Sequence, residues 1–174
     1  MIWLWALGGL VVIFGIVVFR GAPYVPSQKR YINQAFQDLY PLSPDDLLID
    51  IGSGDGIVLR QAAKFGSRAI GYEINPILVA LSKLLSRRQP LVSTRLSDYW
   101  RVSFPDDTTV VYVFAVKRDT KRVVRKIQNE ANRMNHNLHV ISYGNKLPGW
   151  EPKVSLAAYD LYEVLPLQSD KAQV

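Results

Sequence analysis

The chain has 174 residues, enough for one well-filled α/β domain and too few for two. It has no cysteine, which excludes a disulfide framework and a thiolate metal site. Its 21 lysines and arginines against 15 aspartates and glutamates give a formal charge of +6, so an anionic neighbour is expected: a membrane surface, nucleic acid or an acidic protein.

No charged side chain occurs from Ile2 to Phe19. At ~1.5 Å rise per residue that run approaches the ~30 Å hydrocarbon core of a bilayer, which predicts a single transmembrane anchor over residues 1–20. Trp3 and Trp5 would sit in one interfacial belt and Arg20 in the other. A cleaved secretory signal would need a basic start and a small-x-small site, and Phe19-Arg20-Gly21-Ala22-Pro23 is a poor one. Arg20, Lys29 and Arg30 follow the span, so the positive-inside rule places the rest of the chain on the cytoplasmic side. A bacterial plasma membrane is the simplest setting, or the mitochondrial inner membrane if the chain is eukaryotic.

Residues 21–45 read as a connector and an N-terminal helix. Two prolines stiffen Gly21 to Pro26. Ser27 can N-cap a helix whose apolar face is Tyr31, Ile32, Ala35, Phe36 and Leu39. The main domain spans 46–167. Leu47 to Ile51 is a buried strand breaking into Gly52-Ser53-Gly54-Asp55-Gly56, and a crossover helix runs from Val58 to Phe65. Arg68 to Glu73 is strand two, and Asn75-Pro76 opens a helix to about Arg88. Strand three is Leu91 to Leu96. Thr109 to Val116 is the strongest strand signal, a basic helix covers Asp119 to Arg133, and strand five is Asn137 to Tyr143. Val154 to Leu165 reads as one final strand, and the polar tail 168–174 as disordered. This alternation predicts a Rossmann-like α/β fold, a mainly parallel sheet with helices on both faces and a ligand crevice at the strand C-terminal ends.

The glycine spacing narrows the ligand. A dinucleotide turn reads G-x-G-x-x-G, but here the last of those positions holds Ile57 and the glycines are Gly52, Gly54 and Gly56. Asp50 and Asp55 would repel a pyrophosphate and suit a ligand carrying an ammonium and a sulfonium, which describes S-adenosylmethionine. Glu73, about 20 residues beyond the turn, ends strand two where a ribose hydroxyl needs an acceptor. The cofactor set expected on these grounds is Asp50, Gly52, Ser53, Gly54, Asp55, Gly56, Glu73 and Asn75. Asp55 has a second role open to it, as N-cap of the following helix.

Four segments carry a resemblance: the apolar start with Pro23-Tyr24-Val25-Pro26-Ser27, then Asp50 to Gly56, Gly71-Tyr72-Glu73-Ile74-Asn75-Pro76, and Ser97-Asp98-Tyr99-Trp100-Arg101-Val102-Ser103-Phe104. Together they resemble the small membrane-anchored, class I (seven-β-strand) protein-lysine methyltransferases whose animal members modify the mitochondrial ATP synthase c subunit and the adenine nucleotide translocase. The resemblance implies that Asp50, Gly52 and Gly54 line the methionine part of the cofactor, Glu73 holds the ribose and Asp98 faces the adenine amino group. As a turn or cap residue, Asp98 has an equally simple role. Tyr24 to Ser27 would close over the substrate entrance, making Tyr24 the one catalytic candidate, as a wall of the substrate channel with Trp100 and Phe114; the alternative for all three is that they are ordinary core aromatics. One departure concerns the acceptor: the family tends to have Phe-Gly-Val-Pro where this chain has Phe114-Ala115-Val116-Lys117.

A lysine acceptor must lose its proton before it can attack, and burial in a narrow apolar channel lowers its pKa. The partners expected are a protein substrate in or near the membrane and, through residues 2–19, the bilayer itself. RNA ranks lower, because no aromatic-basic RNA module is visible. A non-catalytic membrane scaffold ranks lower too, because the acidic and glycine positions are intact. His136 and His139 lack ligand-type neighbours at metal spacing, so no metal is expected. Lys117, Arg118, Lys121, Arg122, Arg125 and Lys126 crowd one helix, either as a solvated face or against anionic lipid at ~1 kcal/mol each.

Overall fold

The structure, a computed structural model, describes residues 28–167 together with Trp3, Trp5 and Gly8. The rest of the expected anchor, the connector with Tyr24 and Ser27, and the tail from Gln168 lie outside the described residues. Among the described residues no helix is long and apolar enough to cross a membrane.

Helix α1 (Lys29–Gln34) continues into a wider turn, Ala35–Leu39. The N-cap falls on Gln28 rather than Ser27, and Gln28 contributes its carbonyl, which accepts from Tyr31 and Ile32 N–H, with no side-chain cap. Ile32, Ala35, Phe36 and Leu39 are buried at i, i+3, i+4, i+7 spacing, whereas Tyr31, expected on that face, is exposed. Then follow β1 (Leu47–Ile51), α2 (Ile57–Ala62) with a tighter turn over Ala63–Phe65, β2 (Arg68–Glu73), α3 (Pro76–Leu85) and β3 (Val92–Leu96). The chain continues with β4 (Val110–Ala115), α4 (Thr120–Met134), β5 (Leu138–Gly144), β6 (Val154–Leu156) and β7 (Tyr159–Val164).

These strands form one seven-stranded sheet in the order β3-β2-β1-β4-β5-β7-β6. The first five are parallel; β7 runs antiparallel to β5, and β6 antiparallel to β7. The expected single strand from Val154 to Leu165 is therefore a hairpin. Leu156 pairs with Tyr159 across a two-residue loop in which Ala157 takes φ 54°. Alanine is a poor left-handed residue, so the sequence offered no turn signal there; the strand pairings on either side hold the strained loop in place.

Alternation along each strand divides the core into two layers. Leu47, Ile49, Ile51, Val111, Val113 and Val140 face α4 through Val123, Ile127 and Ala131. Leu48, Val110, Tyr112 and Ile141 face α1 and α2 through Ile32, Phe36 and Leu59. Burial on both sides is why these strands read as unbroken apolar runs.

Two buried carboxylates tie loops to this frame. Asp46 accepts from the hydroxyls of Tyr40 (2.9 Å) and Thr109 (2.7 Å) and from Ser43 N–H (2.8 Å), fastening the N-terminal helix to the start of the sheet. Glu130 accepts from Phe104 N–H (3.1 Å), Arg133 Nε (3.0 Å) and Lys126 Nζ (2.5 Å), holding the 97–104 segment against α4. Lys126 also donates to the Val102 carbonyl, which removes it from the basic outer face where the sequence placed it. His136 bridges the Asp106 and Asn137 carbonyls, and His139 packs its ring on Tyr40, 4.8 Å between centroids; both are structural.

Candidate active site

The site is built at the C-terminal ends of β1 and β2. All three turn glycines are left-handed, with φ of 85° at Gly52, 55° at Gly54 and 78° at Gly56, a region costly for any residue with a Cβ. Gly52 and Ser53 N–H both donate to the Tyr72 carbonyl, at 2.9 and 3.2 Å, and Gly56 N–H to the Ser53 carbonyl at 2.8 Å. A Cβ on Gly52 would meet nothing within 4 Å, so this backbone is open to a ligand. One on Gly71 would lie 2.4 Å from Ser53 Oγ, so the close seat of the turn on β2 also requires glycine there, a need that spacing alone did not reveal.

Glu73 joins the two halves of the site. One carboxylate oxygen accepts from Gly54 N–H (2.9 Å) and the other from Asn75 N–H (2.8 Å). Each carboxylate oxygen has a further lone pair, so Glu73 retains acceptor capacity for a diol. Asn75 Oδ1 caps α3, accepting from Ile77 N–H (3.0 Å) and Leu78 N–H (3.4 Å). The N-cap of α2 falls on Gly56, without a side-chain cap. Asp55 just before it instead makes a local turn bond, accepting from Ile57 N–H (3.1 Å), and pairs with Arg60 at 3.1 Å. Arg60 was not foreseen, since one arginine in a helix says nothing about which carboxylate it meets.

Asp50 is buried at 3% exposure beside this cluster. Burial, then the charges of Glu73 and Asp55, push its carboxyl well above the usual carboxylate range. A cation placed here would offset all three effects. Ser53 adds a buried hydroxyl without a protein partner.

Ser97 N–H donates to the Glu73 carbonyl at 3.0 Å, which brings Asp98 to the same rim. Asp98 Oδ1 accepts from Trp100 N–H (3.1 Å), and its other oxygen lies 3.5 Å from Arg101, so its local role is that of a turn residue. Trp100 turns to Tyr99 (4.4 Å between centroids) and lies under the Arg122 guanidinium at 4.0 Å. Phe114 instead pairs in register with Tyr143 on β5, their rings 5.6 Å apart, and Tyr143 continues to Tyr159 at 4.8 Å. Tyr143 is thus a neighbour of Phe114 at the end of the sheet that the sequence reading missed; an aromatic at the end of a strand was its only signal. Tyr24 lies outside the described residues.

Open backbone and negative charge, with a diol acceptor one strand over, suit a cationic nucleoside. S-adenosylmethionine fits them, and with the Rossmann-like sheet they define the domain of an S-adenosylmethionine-dependent methyltransferase. Comparison with known proteins gives the family: the ANTKMT methyltransferase domain matches residues 50–154, and the chain belongs to it. Over 133 residues it is 35% identical to the ATP synthase c-subunit lysine N-methyltransferase of Xenopus laevis, a match that covers 75% of this chain and 56% of that protein. It is 32% identical over 134 residues to the adenine nucleotide translocase lysine N-methyltransferase of Mus musculus, covering 75% and 56% respectively. The chain thus spans little more than half the length of these relatives. Among solved structures, an RNA methyltransferase from Salinibacter ruber in complex with S-adenosyl-L-homocysteine superposes with TM-score 0.72 at 24% identity, covering 84% of this chain and 97% of that one. At that identity the likeness concerns the fold alone.

Proposed function

We propose that the protein transfers methyl groups to lysine side chains of a protein held in or beside a membrane, with residues 2–19 as its anchor and the folded domain on the cytoplasmic side. The observation that carries this reading is the 35% identity to a lysine methyltransferase across three quarters of the chain. S-adenosylmethionine, when bound, supplies a methyl group on a positively charged sulfur. Asp50 and Glu73 offset positive charge at the site, and Glu73 orients through its two hydrogen bonds to the glycine turn and the start of α3. Phe114 and Tyr143 exclude water from the end of the sheet, which favours the neutral form of an incoming lysine amine. Tyr24 would complete that wall. Alignment and desolvation do most of the work, since well-oriented groups react at effective molarities of ~10⁵ M or more, and a dedicated base is then optional.

The test is full-length protein in proteoliposomes with a membrane-protein extract, total RNA and methyl-labelled S-adenosylmethionine, with Glu73→Ala alongside. Label on lysines of membrane proteins, absent with Glu73→Ala, is the expected result. Label confined to RNA would refute the lysine reading.

A further inference from the structure

Helix α3 is built inside out. Its buried positions are Val79 and the polar Ser82, whose hydroxyl lies 2.6 Å from that of Thr94 on β3. Its outward stripe, at i, i+4, i+7 spacing, is Ile77 (49% exposed), Leu81 (40%) and Leu84 (58%). Leu85 widens the stripe, and Leu96 on the edge strand β3 (56% exposed) extends it on the same side. That side is fixed by register: Thr94 lies beside Gly71, which faces Ser53 and Leu59 of α2.

The charge around this face has one sign. From Ile74 to Ser97 there is no acidic residue, and three basic ones, Lys83, Arg87 and Arg88, lie on or just beyond α3. The fourth, Arg95, turns to the other sheet face, over the Tyr72 ring at 5.9 Å. At the end of α3 a depression of about 380 Å³ is lined by Lys83, Ser86, Arg87 and Ser93 among others. Ser86 is 7% exposed there, and its hydroxyl has no protein partner.

We infer that the α3 and β3-edge face docks on an anionic phospholipid bilayer, its leucine stripe at the boundary of headgroups and acyl chains and a lipid phosphate in the Ser86 depression. An apolar stripe rimmed with basic residues is what an interfacial helix presents to such a surface. Ser86 would donate to the phosphate, and Lys83 and Arg87 would neutralise it. The other apolar occupants explain less. A second copy laid on the same face would oppose three cations with three. Residues 2–19 carry no charge and would leave the basic rim without a counterpart. This surface goes beyond the proposed reaction and does not depend on it, because none of its residues belongs to the cofactor set.

The cysteine-free chain makes a direct test simple. Leu84→Cys on α3 and Asn129→Cys, exposed on α4 at the opposite sheet face, each carry one environment-sensitive fluorophore in the full-length protein. Both go into phosphatidylcholine–phosphatidylglycerol vesicles containing nitroxide-labelled lipid. Attachment through residues 2–19 is common to all these variants, so the part of the difference that depends on the basic residues reads the face. The expected result is strong lipid quenching at position 84 and little at 129. Lipid contact at 84 should weaken roughly fivefold for each basic residue removed by Lys83→Gln, Arg87→Gln or Arg88→Gln, and should fall in pure phosphatidylcholine. Equal quenching at the two positions would overturn the inference. So would quenching at 84 that is indifferent to lipid charge and to these substitutions. A blue shift at 84 without lipid quenching would assign the face to protein contact and overturn it as well.

Discussion

Helices α4 and α3 cover opposite faces of the same sheet, yet α4 turns its large apolar residues inward while α3 turns most of its own outward. In α4, Val123, Ile127 and Ala131 turn into the core while Lys121, Arg122 and Arg125 face out, as amphipathic periodicity demands. In α3, Ser82 turns in and Ile77, Leu81 and Leu84 face out. The cause is position. The core side of α4 meets the centre of the sheet, where long side chains are needed to fill the layer. α3 lies at the sheet edge and presses so close to the turn that a Cβ on Gly56 would sit 2.1 Å from Ser82 Oγ. Only a small residue fits between them, so the large apolar residues are left for the other side. An apolar helix in a sequence is therefore not proof of an apolar contact with the domain's own core.

The comparison can be broken most directly with truncations. Ile127→Ala should cost about 2–5 kcal/mol of unfolding free energy, since it empties a wholly buried site. Leu84→Ala should stay within ~0.5 kcal/mol of the parent, as surface changes do. Equal losses in chemical denaturation would mean that α3 packs on a part of the chain not yet accounted for.

Gly56→Ala tests the close seat of α3. It meets both an unfavourable φ and Ser82, and should cost about 1–3 kcal/mol or more. Adding Ser82→Gly should recover the steric share and leave the backbone share. Complete recovery would mean that the left-handed conformation carries no cost here.

The smallest expected effect is electrostatic and sharpens the contrast between the acidic turn and the basic flank. Asp50 has a folded-state pKa raised above its ordinary 3.8, so the folded form holds its proton more tightly than the unfolded form does. Its contribution is favourable below the unfolded pKa and is lost as pH rises through the folded one. Asp50→Asn should flatten that fall in a pH series of thermal melts while weakening S-adenosylmethionine binding, because the counter-charge is gone. A cationic ligand lowers the raised pKa, so binding to the parent protein should release protons near that pKa, seen as buffer-dependent heat in calorimetry. Unchanged affinity in Asp50→Asn would remove Asp50 from the site.

The legible parts were those written in local pattern. Strand β2 ends at Glu73 as the apolar run predicts, and the glycines of the turn each occupy the left-handed backbone that makes glycine necessary. The β6–β7 hairpin was not legible, because two alanines carry its turn. Nor could spacing tell that Asp55 would pair with Arg60.

By itself, then, the sequence determined the succession of strands and helices, the glycine turn and the acidic character of the ligand site, since each depends on backbone preference and near neighbours. Tertiary structure alone decided which carboxylates are neutralised and which stay available, that Phe114 finds Tyr143, and which side of α3 meets the domain. Those outcomes depend on contacts between residues far apart in the chain, such as the 2.6 Å bond from Ser82 to Thr94, and no local periodicity encodes them.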